Sequence, residues 1–174
     1  MSWNDFYRRR EILETAVEQA RQEPGRPLSL AEIPGARELF RTEENLLLAL
    51  HHQWTQLLSG HLRAELADPE DAAAEGQVGD QVDAVTRAWQ RASKNHEALR
   101  AVLDTQPHPV LEPLREAERR MLAVTAGLAE PGEPVAEITK VGHALDALLR
   151  HGPVKPARRR SPMGQLLRLL APSA

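Results

Sequence analysis

"TEENLLLALHHQWTQLLSGHL", residues 42–62, decides the fold class. Thr42 offers a hydroxyl to cap a helix start, and Glu43 and Glu44 place negative charge in the first turn, where the helix dipole favours it. Leu46, Leu47, Leu50, Trp54, Leu57, Leu58 and Leu62 then recur at three- and four-residue intervals. Such spacing gathers them on one broad face of a long helix, wide enough to need partners on more than one side. The same spacing runs through the rest of the chain, whereas alternating β-branched and aromatic residues are nearly absent, so an all-α fold is expected.

Working outward, a first helix is predicted from about Asp5 to Gln22, with Ile12, Leu13, Ala16, Val17 and Ala20 on one face. The breakers of "EPGRP" end it. Ser29 is a suitable cap for a very short helix, Leu30 to Ile33, halted by Pro34 and Gly35, and a second short piece runs from Ala36 to Phe40. After the polar stretch 68–79, helix is expected from Asp80 to Asp104, with a possible break at which Asn95 caps the second piece. Pro109 and Pro113 suit the first turn of a helix reaching about Ala129. A last helix, lined by Val135, Ile138, Val141, Leu145, Leu148 and Leu149, ends at Gly152. This divides the chain into 1–45, 46–151 and a basic, proline-rich tail, 152–174.

The 174 residues contain no cysteine, which excludes disulfides and thiolate metal sites and makes a reducing compartment the expectation. Asp5, Glu11 and Glu14 stand where a signal peptide needs an apolar run, so a cytoplasmic protein with no membrane partner is expected. Residues 1–66 carry 8 Lys/Arg against 10 Asp/Glu, residues 67–151 carry 9 against 15, and residues 152–174 carry 5 against none. The basic footprint of a nucleic-acid surface is therefore confined to the tail.

The order of these pieces resembles the TetR family of bacterial regulators. "EILETAVEQA" (11–20) matches that family's Ile-Leu-x-x-Ala helix, "SLAEI" (29–33) its Ser/Thr-capped second helix, and "FRTEENLLLAL" (40–50) the start of its long connecting helix. "AVTRAWQRASKNHEALRAVLD" (84–104) resembles part of the ligand domain. The resemblance implies a helical homodimer joined through helices 109–129 and 134–151. Between Ile33 and Phe40, however, "PGAREL" is about eight residues shorter than a helix-turn-helix needs to seat a recognition helix in a major groove. Only Arg37 and Glu38 are left to face outward, so operator binding in the family's usual manner is not expected. The alternative is a regulator that binds DNA through a compact motif around Arg37 and Arg41, or through Arg158, Arg159 and Arg160 of the tail.

Trp54, Trp89, His96 and Met121 are candidates to line an effector pocket between helices, or are plain core. His51, His52 and His61 read as surface or edge histidines. His61 and Glu65 have a metal-compatible i, i+4 spacing, but no Glu-x-x-His pair accompanies them, so neither metal nor cofactor is expected. No phosphate loop, cysteine nucleophile or Gly-x-Ser-x-Gly elbow is present, and no catalytic residue is assigned. In the tail, Gln165, Leu166, Leu167, Leu169 and Leu170 follow Met163 as an apolar cluster suited to a protein partner. Gln165 and Leu166 resemble the opening of the Gln-Leu-x-Leu-Phe peptide that docks on bacterial sliding clamps, but Arg168 stands at the next leucine and no phenylalanine follows. A tail folded back on its own domain or dimer mate is the other reading. The sequence thus predicts a non-enzymatic regulatory or protein-interaction module.

Overall fold

The computed structural model describes residues 3–66, 78–106 and 108–151. Among them the chain is all-α, with no strand. The helices are α1 (Trp3–Gln22), α2 (Ala36–Phe40), α3 (Glu43–Leu66), α4 (Val78–Asn95), α5 (Glu97–Thr105), α6 (Glu112–Thr125) and α7 (Val135–His151), and a 3-10 turn, Pro109–Leu111, precedes α6. The tail residues Arg158, Arg159, Arg160, Gln165, Leu166, Leu167, Leu169 and Leu170 lie outside the described residues.

Local chemistry sets the boundaries. The Thr42 hydroxyl accepts from the Asn45 N–H at 3.2 Å, and the Asn45 side chain donates to the Phe40 carbonyl at 2.9 Å. Together they cap α3 and tie it to the end of α2. Residues 30–33 form a turn rather than the short helix expected there. The Ser29 hydroxyl does accept from the Ala31 N–H at 3.3 Å, as a cap would. Pro34 follows too soon for a helix to propagate, and Gly35 turns the chain at φ 74°.

Helix 78–105 breaks at Asn95 and His96. The residue at the start of α5 is His96, whose side chain makes no capping bond, so Asn95 does not take the capping role proposed for it. The 3-10 turn ends at Leu111 and α6 starts at the next residue, stopping at Thr125, short of Ala129. There Gly127 turns at φ 67° and the Leu128 N–H closes back onto the Ala123 carbonyl at 3.0 Å.

α3 lies along α4, and α6 lies along α7, while α1 crosses α5 and the turn before α6 rests on α3. Because α3 is apolar over so wide an arc, these elements surround it. Leu46, Leu50, Trp54 and Leu58 are fully buried. One hydrophobic cluster runs from Ile12 and Ala16 of α1, through Leu28, Leu30, Ile33 and Phe40, to Leu145 and Leu149 of α7. Each large side chain in it contributes about 1.5–3 kcal/mol of burial.

The approach of α7 to α6 depends on one residue. A Cβ added at Gly142 would stand 2.8 Å from the backbone carbonyl of Arg119, whereas one added at Gly60, on the outer side of α3, would meet nothing within 4 Å. Helix propensity favours alanine at both positions. G60A is therefore expected to raise stability by about 0.5–1 kcal/mol, and G142A to lower it by about 1–3 kcal/mol, because the clash outweighs propensity. Urea unfolding of the two variants checks this; a gain in stability from G142A as well as from G60A would refute the close approach.

Candidate functional site

Polar side chains meet at the centre of the bundle. Glu118 of α6 is buried, and each of its oxygens is engaged. Arg100 of α5 donates to Oε1 at 3.2 Å, and the Trp54 indole N–H of α3 donates to Oε2 at 3.0 Å. The Arg100 guanidinium lies over the rings of Trp54 and Trp89, 4.9 and 5.6 Å from their centroids, so it exchanges water for two aromatic faces. Its other edge grips Asp104 through two hydrogen bonds of 3.1 and 2.9 Å. Arg150 of α7 joins Asp104 at 3.0 Å and Asp146 at 2.8 Å, and Asp146 accepts from Arg119 at 3.2 Å. An alternating chain of charge therefore links α5, α6 and α7, and the Trp54 indole ties α3 to it.

Burial pushes the Glu118 carboxyl above its ordinary range, against the pull of Arg100 and Trp54. Asp104 is half-exposed and goes the other way, because the guanidiniums of Arg100 and Arg150 outweigh its partial burial. His51 completes the centre. It is buried rather than at the surface, as the sequence reading had it, and burial together with the cations Arg100 and Arg115 holds it down to about 4. Its ring is neutral at pH 7. Nδ1 sits 3.4 Å from the Thr55 hydroxyl, while Nε2 is 3.6 Å from Glu118 Oε2 and has no hydrogen-bond partner.

Beside this centre, Leu48, His51, Leu114, Ala117, Glu118 and Met121 line a cleft of about 440 Å³ between α3 and α6. Its lining mixes these apolar side chains with the polar His51, His52, Thr55 and Glu118. Of the residues proposed from sequence for an effector pocket, Met121 lines this cleft. Trp54 is wholly buried behind it and Trp89 lies across Arg100 on α4, so both serve the polar centre. His96 stands apart at the α4/α5 break against His61, with ring centroids 6.2 Å apart, and burial with the neighbouring His61 lowers its affinity for a proton. Glu65 is taken by Arg87 and Arg91, and no group of three or more metal-ligating side chains occurs among the described residues.

Sequence reasoning missed Arg100, Glu118 and His51. The DNA-contact candidates Arg37 and Arg41 are both exposed beside α2 and share a shallow depression with Glu43 and Glu44. Arg41 is the one non-glycine residue with positive φ, 64°, among the described residues. Glu38, the other outward residue of α2, is paired with Arg8 at 3.1 Å.

His51 gives the centre a pH signature. Its affinity for protons falls from the ordinary 6.5 to about 4 on folding, so between these values the unfolded chain binds more protons and stability falls as pH falls. Glu118, shifted upward, contributes in the opposite sense over its own range, so His51 is isolated by difference. The stability advantage of the native chain over H51Q is expected to shrink by about 2 kcal/mol between pH 7 and pH 5 in urea unfolding. An advantage constant with pH would mean that His51 is not held neutral.

The chain matches no protein-family model, no curated protein and no solved structure.

Proposed function

We propose that this chain is a non-enzymatic regulatory or protein-interaction module, built in the helix order of TetR-like regulators but without their mode of reading DNA. The observation that carries this reading is the make-up of α2. Of its five residues, Ala36 and Phe40 are buried and Leu39 is partly so, leaving Arg37 and Glu38 to face outward. Glu38 is bound to Arg8, and Glu43 and Glu44 stand beside Arg41. A recognition helix needs several side chains at base edges and a surface that neutralises phosphates. This stub supplies one outward cation among acids.

The module acts as a homodimer. Its seam is formed by α6 and α7 and the segment between them, where Leu128, Val135 and Leu148 are exposed apolar side chains. The tail 152–174 docks a protein partner through Gln165 and the leucines 166, 167, 169 and 170. Helices of the described residues are not long and apolar enough to cross a membrane.

A second reading has one observation in its favour. Arg37 and Arg41 form no ion pair among the described residues, so two cations on one face are available to phosphate. Fluorescence anisotropy of pooled genomic duplex at low and moderate salt separates the two readings. The first reading predicts no binding at moderate salt; salt-sensitive binding that disappears in R158A/R159A/R160A would establish the alternative through the tail. Binding abolished by R37A/R41A and retained by the triple variant would establish the compact motif instead.

A further inference from the structure

Between the first half of α1 and α3 runs an open groove of about 870 Å³. The half-buried Leu13, Leu48, Ala49 and Leu57 make up much of its base, with Gln53 among them, and exposed polar side chains and Phe6 stand along its rims. Phe6 extends this apolar strip outward, because it packs edge-on against Trp3 and Tyr7 and all three rings are exposed. Apolar side chains gathered on one open face mark a docking surface. The arginines of the rim are already engaged, Arg10 with Glu14 at 2.8 Å and Arg9 over the Phe40 ring.

The tail carries a segment of matching size. In "SPMGQLLRLLAP" (161–172), Ser161 is a helix cap, Pro162 suits the first turn and Pro172 is a stop. On a helix so bounded, Met163, Leu166, Leu167 and Leu170 have the i, i+3, i+4, i+7 spacing and share one face. Their stripe is about 11 Å long at the rise of an α-helix, and the stretch of α3 that lines the groove, Asn45 to Leu57, is about 18 Å long. A helix this short is marginal in water and gains its stability from a surface that covers its apolar face.

Reach and charge favour the same pairing. Residues 152–162 join the segment to α7, and fully extended they span about 36 Å, roughly the width of a bundle of this size. Residues 1–151 carry 17 Lys/Arg against 25 Asp/Glu, whereas residues 152–174 carry 5 against none, so body and tail attract each other. The tether keeps the segment at an effective concentration on the order of millimolar, at which even a weak contact is populated.

We propose that residues 163–170 lie as a helix in the groove between α1 and α3, with Met163, Leu166, Leu167 and Leu170 against Leu13, Leu48 and Leu57, and that this contact masks the tail from its protein partner. This rests on the tail being a partner-docking segment and adds its regulation. The leucines that hold the partner are the ones the groove holds, so a partner must compete with the chain's own body.

Because the chain has no cysteine, S173C in the full chain takes a single nitroxide label just beyond the stripe. With ¹³C on the leucine and valine methyls, the label is expected to broaden Leu13, Leu48 and Leu57 more strongly than Leu128 and Val135 of the α6/α7 side. L166S/L167S, which leaves the body of the protein unchanged, should reduce the broadening of Leu13 and Leu57 at least about fivefold, as should L48Q in the groove. Broadening strongest at Leu128 and Val135, or spread evenly over the body, would overturn the proposal. So would broadening unchanged by L166S/L167S. Broadening passed in full to a ¹³C chain mixed with a labelled ¹²C chain would also overturn it, because the groove would then hold the tail of a second copy. DNA binding through Arg37 and Arg41 would instead overturn the interaction-module reading and leave this broadening as measured, so the two failures are distinct.

Discussion

The ion pair between Arg100 and Glu118 is the constraint around which the molecule is arranged. Taking both charges out of water is expensive, and their attraction repays that cost only where every remaining donor and acceptor is met. Here the requirement is met from several directions. Trp54 bonds the second oxygen of Glu118, Asp104 takes the far edge of the guanidinium, and two indole faces cover it. These partners come from α3, α4, α5 and α6, and Arg150 of α7 extends the chain through Asp104. A slip of any one helix strands a charge in an apolar interior, so the pair selects one register of the bundle beyond what leucine packing alone would select.

The N-terminal segment serves the same core. α1 and α2 close over it with Ile12, Ala16, Ala36 and Phe40, and Arg9 lies 4.6 Å from the centroid of the Phe40 ring. In a DNA reader this region would present side chains to a groove. Here it turns its large residues inward, and its outward charges largely pair with one another, as in Arg8 with Glu38 and Arg26 with Glu23 and Glu32. Gln106 holds the loop from the other side, donating to the Arg26 carbonyl at 3.1 Å. The short stretch 23–41 is accordingly a piece of the wall of the bundle.

Helices were legible in the sequence because their apolar period is strong and their ends carry recognisable chemistry. Thr42 caps and the bounds of α2 and α3 follow, whereas the helix expected to reach Ala129 runs past the turn that Gly127 makes. What the period concealed was the polar centre, because charged residues on helices are ordinarily assigned to the solvated side. Glu118 lies on the stripe formed by Leu111, Leu114, Met121 and Leu122, and His51 on the one formed by Leu47, Trp54 and Leu58. An acid and a histidine at core positions were the available signal. Arg100 gave less warning: it sits one residue off the Leu99 and Leu103 stripe, with Asp104 four residues on, and so reads as an ordinary exposed pair. Of the cleft only Met121 was anticipated, since its shape depends on the separation of α3 and α6, which pairing across distant sequence determines.

The most direct measurement of the central claim is a double-mutant cycle on the full chain at pH 7, with R100M, E118M and the two combined, followed by urea unfolding. R100M is expected to cost about 3–5 kcal/mol, because it leaves the buried Glu118 without a cation, and E118M less, because Arg100 keeps Asp104. The double variant should then recover about 2 kcal/mol or more relative to the sum of the singles. Costs that simply add would contradict the account, and would mean that the two charges are held independently rather than as the joint on which the helices are set.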